Sequence, residues 1–331
     1  MLKLLIMDNE KVRSATAIAH PNIAFIKYWG NRDDAQRIPM NGSLSMNLQA
    51  LTTTTSVEFR PDLKEDDLVI DGQSASPQAL QRVSSFLDLI RPEKHLKAIV
   101  ISNNNYPMGT GIASSAAAFA ALAAAASQAA GLDLDEAALS RLARRGSGSA
   151  CRSIPTGFVE WQAGSSDEDS YAHSIASPEH WALVDLIAVV SSAHKSVGSS
   201  TGHTLAASSP IQHARVADCA RRLEICRKTI LERDFTAFAD IVELDSNLMH
   251  AVMMSSSPRL LYWEPATLAI MSEIQTWRAE GLQVCYTIDA GPNVHVLCPQ
   301  EQADEVETQL QAMDSIQTIY RSSVGEGVRL V

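Results

Sequence analysis

The chain has 331 residues, 46% of them hydrophobic and 20% charged, enough for two cores of ordinary size and too apolar for a disordered polymer. A formal net charge of −11 excludes the broad basic surface that nonspecific nucleic-acid or anionic-membrane binding would need, while leaving room for a few local cations around an anionic ligand. Met1 to Met7 is apolar but short, runs into Asp8, Asn9 and Glu10, and lacks a small-residue cleavage site, so neither signal peptide nor membrane span is expected and the location expected is cytoplasmic. Thr52 to Phe59 alternates and is β-branched, and Leu68 to Ile70 leads into Asp71-Gly72, so the first third is expected to be β-rich. Ala98 to Ile101 predicts a buried strand that delivers the chain through Asn103–Asn105 to Pro107-Met-Gly-Thr-Gly-Ile-Ala-Ser-Ser115. Ala113 to Ala130, dominated by alanine, predicts a buried helix ended by Gly131. Asp133, with Glu136 three residues on, predicts the cap of a second helix with Leu139, Leu142 and Ala143 as its apolar stripe and Gly146 as its stop.

Gly146 to Arg152 is a second small-residue loop carrying one guanidinium. Trp181 to Val190 predicts a buried strand, and the polar run Ser191 to Pro210 predicts an interdomain crossover, hence domains 1–190 and 191–331. Ile211 to Ala239 and Pro265 to Ala279 predict helices, and Val284 to Ile288 and Val294 to Leu297 predict strands flanking Asp289-Ala-Gly-Pro-Asn293. Five cysteines without a Cys-x-x-Cys pair predict packed, reduced thiols, and nine scattered histidines show no metal-ligand spacing.

The loop before the alanine helix has the makings of an anion site. Pro107, Gly109, Gly111 and Ala113 let the main chain approach a phosphate, the unpaired amides of the helix start favour it, and Ser114 and Ser115 add hydroxyls for phosphate oxygens or for magnesium. The loop lacks the Gly-Lys-Ser/Thr ending of a Walker A motif, and by itself it is equally an ordinary helix start packed with small residues.

Several strings in one order carry a more specific signal: Asn22 to Gly30 with Arg32-Asp33, Ser43-Leu-Ser45, Gly111 to Ala117, Gly146 to Ser153 with Gly157-Phe158 and Trp161, Asp245-Ser-Asn247 with His250-Ala251, and Asp289 to Asn293. Across nearly its whole length the chain resembles the mevalonate diphosphate decarboxylases, a branch of the fold shared by galactokinase, homoserine kinase, mevalonate kinase and phosphomevalonate kinase. The resemblance implies an α+β, GHMP-kinase-like two-domain fold with the active site in the interdomain cleft, ATP and Mg2+ as co-substrate and cofactor, and a homodimer. It implies phosphorylation of the tertiary 3-hydroxyl of a mevalonate phosphate, departure of phosphate and loss of CO2. Asp289 is then the catalytic aspartate, Lys27 and Tyr28 lie near the phosphates, and Arg152 holds the carboxylate end with Ser147, Gly148 and Ser149 nearby. Asn22, Ser199 and Ser200 contact substrate, Ser114 and Ser115 face the nucleotide, and Asp245 to Asn247 brace the site.

One departure bears on the substrate. After Tyr28-Trp29-Gly30 the family usually continues with a lysine that faces the diphosphate, and here Asn31 stands in its place. Losing a charge-assisted bond of ~1.5–3 kcal/mol favours a smaller anion. Mevalonate 5-phosphate is therefore the expected substrate, with mevalonate 5-diphosphate as the alternative; Gly42 and His203 are further departures near the expected site. A 3-kinase that stops before decarboxylation, or a non-catalytic ligand sensor, would use the same scaffold.

Overall fold

In the computed structural model, which describes residues 13–106, 114–191 and 198–331 (Arg13, Ser199 and Ser200 in backbone alone), the β-branched run Thr53–Arg60 is a strand whose residues alternate between buried and half-buried. It lies within a six-stranded sheet ordered Arg329–Leu330, Arg13–Ala19, Thr53–Arg60, Lys97–Asn104, Asp67–Ile70, Gln73–Ser74. All neighbours are antiparallel except Lys97–Asn104 with Asp67–Ile70. Asp71 and Gly72 both take positive φ, 50° and 76°, the backbone of a tight two-residue hairpin. The strand expected as buried over Ala98 to Ile101 buries only one face: Ala98 and Val100 point inward, while Ile101 is 43% exposed.

The alanine helix spans Ser114–Ala129, and its small side chains let Ala117, Ala120 and Ala121 lie close against Ala17, Val57, Phe59 and Val100. This close packing fixes the helix start. Helix Glu136–Gly146 follows, and its cap is Asp135, which accepts the Ala138 amide at 2.7 Å, not Asp133 as expected. Asp133 lies three residues before the first helical residue, out of register with the first-turn amides that a cap must reach.

A four-stranded sheet ordered Ala172–Ala176, Phe158–Trp161, Ser43–Asn47, Asn22–Ile26 forms the second layer, and a third sheet is ordered Cys285–Thr287, Val294–Pro299, Leu183–Val189, Thr318–Ser323. Leu183–Val189 is buried throughout, as expected for that run. Its ladder partners, however, are Val294–Pro299 and Thr318–Ser323, although the expected boundary at 190/191 would assign it to the first unit. Hydrogen-bond partners, which a polar stretch in the sequence does not reveal, decide where a strand belongs. Within the expected crossover Ser191 to Pro210, Ser199–Leu205 is helical, and 192–197 lie outside the described residues. The expected helix Ile211 to Ala239 is three: Gln212–Ala217, Cys219–Glu232 and Phe235–Ser255. Arg233 turns left-handed at φ 59°, and Asp234 caps the last helix through the Ala237 amide at 3.1 Å. Pro265–Ala279 is helical as expected.

A single apolar cluster joins the two units. Ile23, Phe25 and Leu44 of the second sheet meet Phe238 and Val242 of helix Phe235–Ser255 and Leu183, Ile187 and Leu297 of the third sheet. The rings of Phe25 and Phe238 touch edge-on at 4.9 Å. Strand Asn22–Ile26 is thereby clamped between the halves, so the residues that follow it emerge at the junction. All five cysteines are buried and unpaired. Among the described residues no helix is long and apolar enough to cross a membrane.

Candidate active site

Strand Asn22–Ile26 ends at Lys27, whose backbone is held on both sides. Its amide donates to Asp245 Oδ2 at 2.6 Å, and its carbonyl accepts Asn41 Nδ2 at 3.0 Å and Arg215 Nη2 at 2.7 Å. Asp245 also accepts Arg222 Nε at 2.7 Å, in a site where Asp245 and Arg222 are fully buried. A backbone pinned at donor and acceptor aims its side chain in one direction. Lys27 Nζ donates to Asp289 Oδ1 at 2.6 Å, joining the end of strand Asn22–Ile26 to the turn after Cys285–Thr287.

The Asp289 turn is stitched to its surroundings by three side chains of its own unit, one of them reaching the backbone of strand Asn22–Ile26. Thr287 Oγ1 donates to the Ala24 carbonyl at 3.3 Å, the Ile288 amide donates to Ser246 Oγ at 3.0 Å, and Asn293 Oδ1 accepts the Val190 amide at 2.9 Å. Lys27 is 2% exposed at its side chain and Asp289 26%, so the carboxylate, not the ammonium, is the partner open to an incoming molecule. Burial alone would push the Asp289 carboxyl up, but the charges of Lys27 and then His295, with the Lys27 hydrogen bond, hold it below the ordinary 3.8. Burial pulls Lys27 down from 10.5 against the opposing pull of Asp289. The neighbouring cations thus favour the carboxylate form of Asp289, a hydrogen-bond and proton acceptor.

Arg152 lies on the short 3-10 turn Gly148–Ser153 and is 4% exposed. Its Nε donates to Asn22 Oδ1 at 3.1 Å and its Nη1 to Ser43 Oγ at 2.7 Å. Asn22 in turn donates to Ser153 Oγ at 2.8 Å and to the Ser149 carbonyl at 3.1 Å, so its amide is engaged in aiming Arg152. Arg152 lies 6.0 Å from the Trp161 ring centroid and Burial lowers its pKa from 12.5.

Tyr28 packs its ring on His203 at 4.1 Å and edge-on to Trp161 at 4.7 Å, and its hydroxyl donates to Asn31 Oδ1. Burial pushes its phenol well up. Asn31 Nδ2 donates to Asp34 Oδ1 at 2.8 Å, so both ends of this amide are engaged. Gly148 is required here: a Cβ would stand 2.5 Å from Tyr28 Cε1. Next to it, Ser147 Oγ lies 3.2 Å from Ser115 Oγ, which brings the start of the alanine helix, where Ser114 is the first residue, against the Gly146 to Arg152 loop. Pro107, Gly109, Gly111 and Ala113 lie outside the described residues. Ser199 and Ser200 open a helix whose Gly202 abuts the Trp29 ring, and its His203 Nδ1 accepts the Gly30 amide at 3.0 Å.

From the sequence Asp245 is expected as a brace and Ser43 stands in one of the family strings without a role of its own, whereas Arg215, Arg222 and Asn41 carry no signal. Arg215 and Arg222 lie seven residues apart and both turn inward, where surface helices usually present arginine to water. With Lys27 and Arg152 they make four buried cations faced by three carboxylates, Asp218, Asp245 and Asp289, a local excess of one positive charge inside a chain of net charge −11. Excess buried cations are stable where an anion joins them.

Two family models match the chain: the diphosphomevalonate decarboxylase-like N-terminal domain over residues 19–172 and the mevalonate 5-diphosphate decarboxylase C-terminal domain over residues 185–329. The diphosphomevalonate decarboxylase of Candida albicans is 36% identical over 312 residues, covering 88% of this chain and 86% of that protein. The solved mevalonate diphosphate decarboxylase of Enterococcus faecalis superposes with a TM-score of 0.90 at 35% identity, covering 96% of this chain and 98% of that one. A solved complex described as MDDEF with MVAPP, AMPPCP and magnesium gives a TM-score of 0.92 at 36% identity over the same shares, 96% and 98%.

Proposed function

Because the chain belongs to the diphosphomevalonate decarboxylase family, we propose that it is an ATP-dependent carboxy-lyase acting on mevalonate 5-diphosphate, releasing ADP, phosphate, CO2 and isopentenyl diphosphate. The observation that carries the proposal is the 2.6 Å Lys27–Asp289 pair at the junction of the two units, with Arg152 among the charges acting on the same carboxylate. Asp289, kept ionised by Lys27, accepts the proton of the 3-hydroxyl as that oxygen attacks the γ-phosphorus of ATP. Arg152, aimed by Asn22 and Ser43, receives the substrate carboxylate. As the C3–O bond breaks and its electrons leave with phosphate, the electrons of the C–CO2 bond form the alkene, so no further electron sink is needed.

ATP and magnesium come to this chain from the complexes of its relatives. The donor set fits them: Ser114 and Ser115 open the alanine helix and carry hydroxyl oxygens, the hard donors that would hold magnesium together with the nucleotide's phosphates. When bound, it neutralises charge on the transferring phosphoryl group. Ser147, Gly148, Ser149, Ser199 and Ser200 are proposed substrate contacts, and Pro107, Gly109, Gly111 and Ala113 proposed nucleotide contacts. A two-unit division before Leu183, a homodimer and a cytoplasmic location complete the proposal.

Mevalonate 5-phosphate, giving isopentenyl phosphate, is the second reading, favoured by the neutral Asn31. The order expected from the sequence is reversed because the relatives matched across most of the chain are named for the diphosphate. A side-by-side assay of both substrates, with product identification and CO2 release, tests the choice. Higher kcat/KM on the diphosphate is the expected result; a strong preference for the monophosphate refutes it, and turnover without CO2 would point to a 3-kinase.

A further inference from the structure

Asn31 leaves the phosphate end of the site short of a cation, and the hairpin that carries Asn31 supplies one six residues later. Asn31–Asp33 pairs with Ile38–Pro39, Asn31 opposite Pro39, and Arg37 sits at the turn's exit in the left-handed conformation at φ 52°. A side chain on such backbone is strained, and strain of this kind concentrates where a group must be aimed. Arg37 Nε donates to the Arg145 carbonyl at 3.1 Å, which docks the guanidinium beside Gly146 to Arg152, the loop that holds Ser147 and Gly148.

Its two terminal nitrogens make no hydrogen bond or ion pair with the described residues. The nearby acids are committed elsewhere: Asp33 Oδ1 accepts the Gln36 amide at 2.8 Å, and Asp34 Oδ1 accepts Asn31 Nδ2 at 2.8 Å. The charge of Arg37 nevertheless reaches the pocket. It is the foremost charge acting on both the Tyr28 phenol and the His203 imidazole, whose rings stack at 4.1 Å. A guanidinium tied by Nε alone keeps the planar fork of its two terminal nitrogens free for two oxygens of one anion.

Resting on the function proposed above, we infer that Arg37 receives the phosphoryl end of the substrate, in the charge role that Asn31 cannot fill. The shared chemistry is a phosphate monoester or diphosphate of mevalonate.

The test measures steady-state kinetics and calorimetric binding of mevalonate 5-diphosphate and mevalonate 5-phosphate to wild type, Arg37→Gln, Arg37→Lys and Arg37→Gln/Asn31→Lys. Losing one charge-assisted contact raises KM and Kd for the phosphorylated ligand about ten- to hundredfold, with kcat changed less than KM and the KM for ATP unmoved. The lysine at position 31 recovers at least tenfold of that loss, a rescue that a merely structural role for Arg37 would not give. A loss on both ligands assigns Arg37 to the 5-phosphate they share; a loss on the diphosphate alone assigns it to the terminal phosphate. Unchanged Kd for both in Arg37→Gln overturns the inference while leaving the decarboxylase reading intact. A wild type that binds but never releases CO2 refutes that reading, and the calorimetric comparison still decides the role of Arg37.

Discussion

Replacing Lys27 by methionine removes the ammonium that lies 2.6 Å from Asp289 Oδ1 and leaves the backbone clamp on residue 27 in place. Burial is the largest influence on the Asp289 carboxyl and acts upward; the charges of Lys27, His295 and Arg152 and the Lys27 hydrogen bond outweigh it. A charge-assisted bond contributes ~1.5–3 kcal/mol, which at ~1.36 kcal/mol per pKa unit is about one to two units. Without that ammonium, burial acts on the carboxyl with less opposition and its pKa rises from below the ordinary 3.8. In wild type the depressed pKa adds stability that is present above the unfolded value of 3.8 and is lost as pH falls through the folded value; in Lys27→Met that contribution disappears or changes sign. The assay is kcat/KM against pH. The acid limb of Lys27→Met should lie one to two units above that of wild type, whatever the overall loss of rate, and Lys27→Arg should bring it back. Coincident acid limbs for wild type and Lys27→Met would refute the claim that Lys27 sets the charge state of Asp289.

Asp245→Asn leaves Arg215 buried without its counter-charge and Arg222 with Asp218 alone, and breaking such a group costs about 3–5 kcal/mol, read as a lower urea midpoint at unchanged m-value; a loss under ~1 kcal/mol would count against charge pairing as its role. Gly148→Ala puts a methyl 2.5 Å from Tyr28 Cε1, where the ring is enclosed by His203 and Trp161, so about 1–3 kcal/mol of stability should be lost and substrate KM should rise, whereas an unaltered melting curve and KM would contradict the close packing. Burial first, then Arg37, Arg215 and Arg152, lowers the His203 imidazole to about 3, so its contribution to stability is complete above the unfolded 6.5 and drains away as pH falls from 6.5 toward 3. His203→Met should therefore flatten the dependence of unfolding free energy on pH across that window, and parallel curves for the two proteins would argue against a neutral, half-buried imidazole.

Local chemistry made much of the fold readable in advance. Alternation gave Thr53–Arg60, the Asp-Gly pair gave the hairpin after Ile70, and alanine content gave Ser114–Ala129, because each depends on neighbours within one strand or one turn. Where two local signals competed, the reading slipped: Asp133 and Asp135 both have a cap's side chain, and only the register of the first helical turn separates them. The single helix expected from Ile211 to Ala239 failed for a comparable reason. Arg233 carries no glycine-like signature, yet it takes the left-handed conformation that ends one helix and lets Asp234 start the next.

By itself, the order of residues determined the strings that bear the chemistry: a carboxylate in a glycine-proline turn, a guanidinium in a small-residue loop, serines at a helix start. Only the tertiary structure decided that Lys27 meets Asp289 across 262 residues, that Asp245 and two buried arginines hold Lys27 in place, and that Asn22 and Asn31 are engaged by their neighbours. Backbone geometry at a turn is set by the few residues that make it, whereas the charge and hydrogen-bonding state of a buried group is set by whatever distant segments packing brings within a few ångströms, and a linear string contains no such distances.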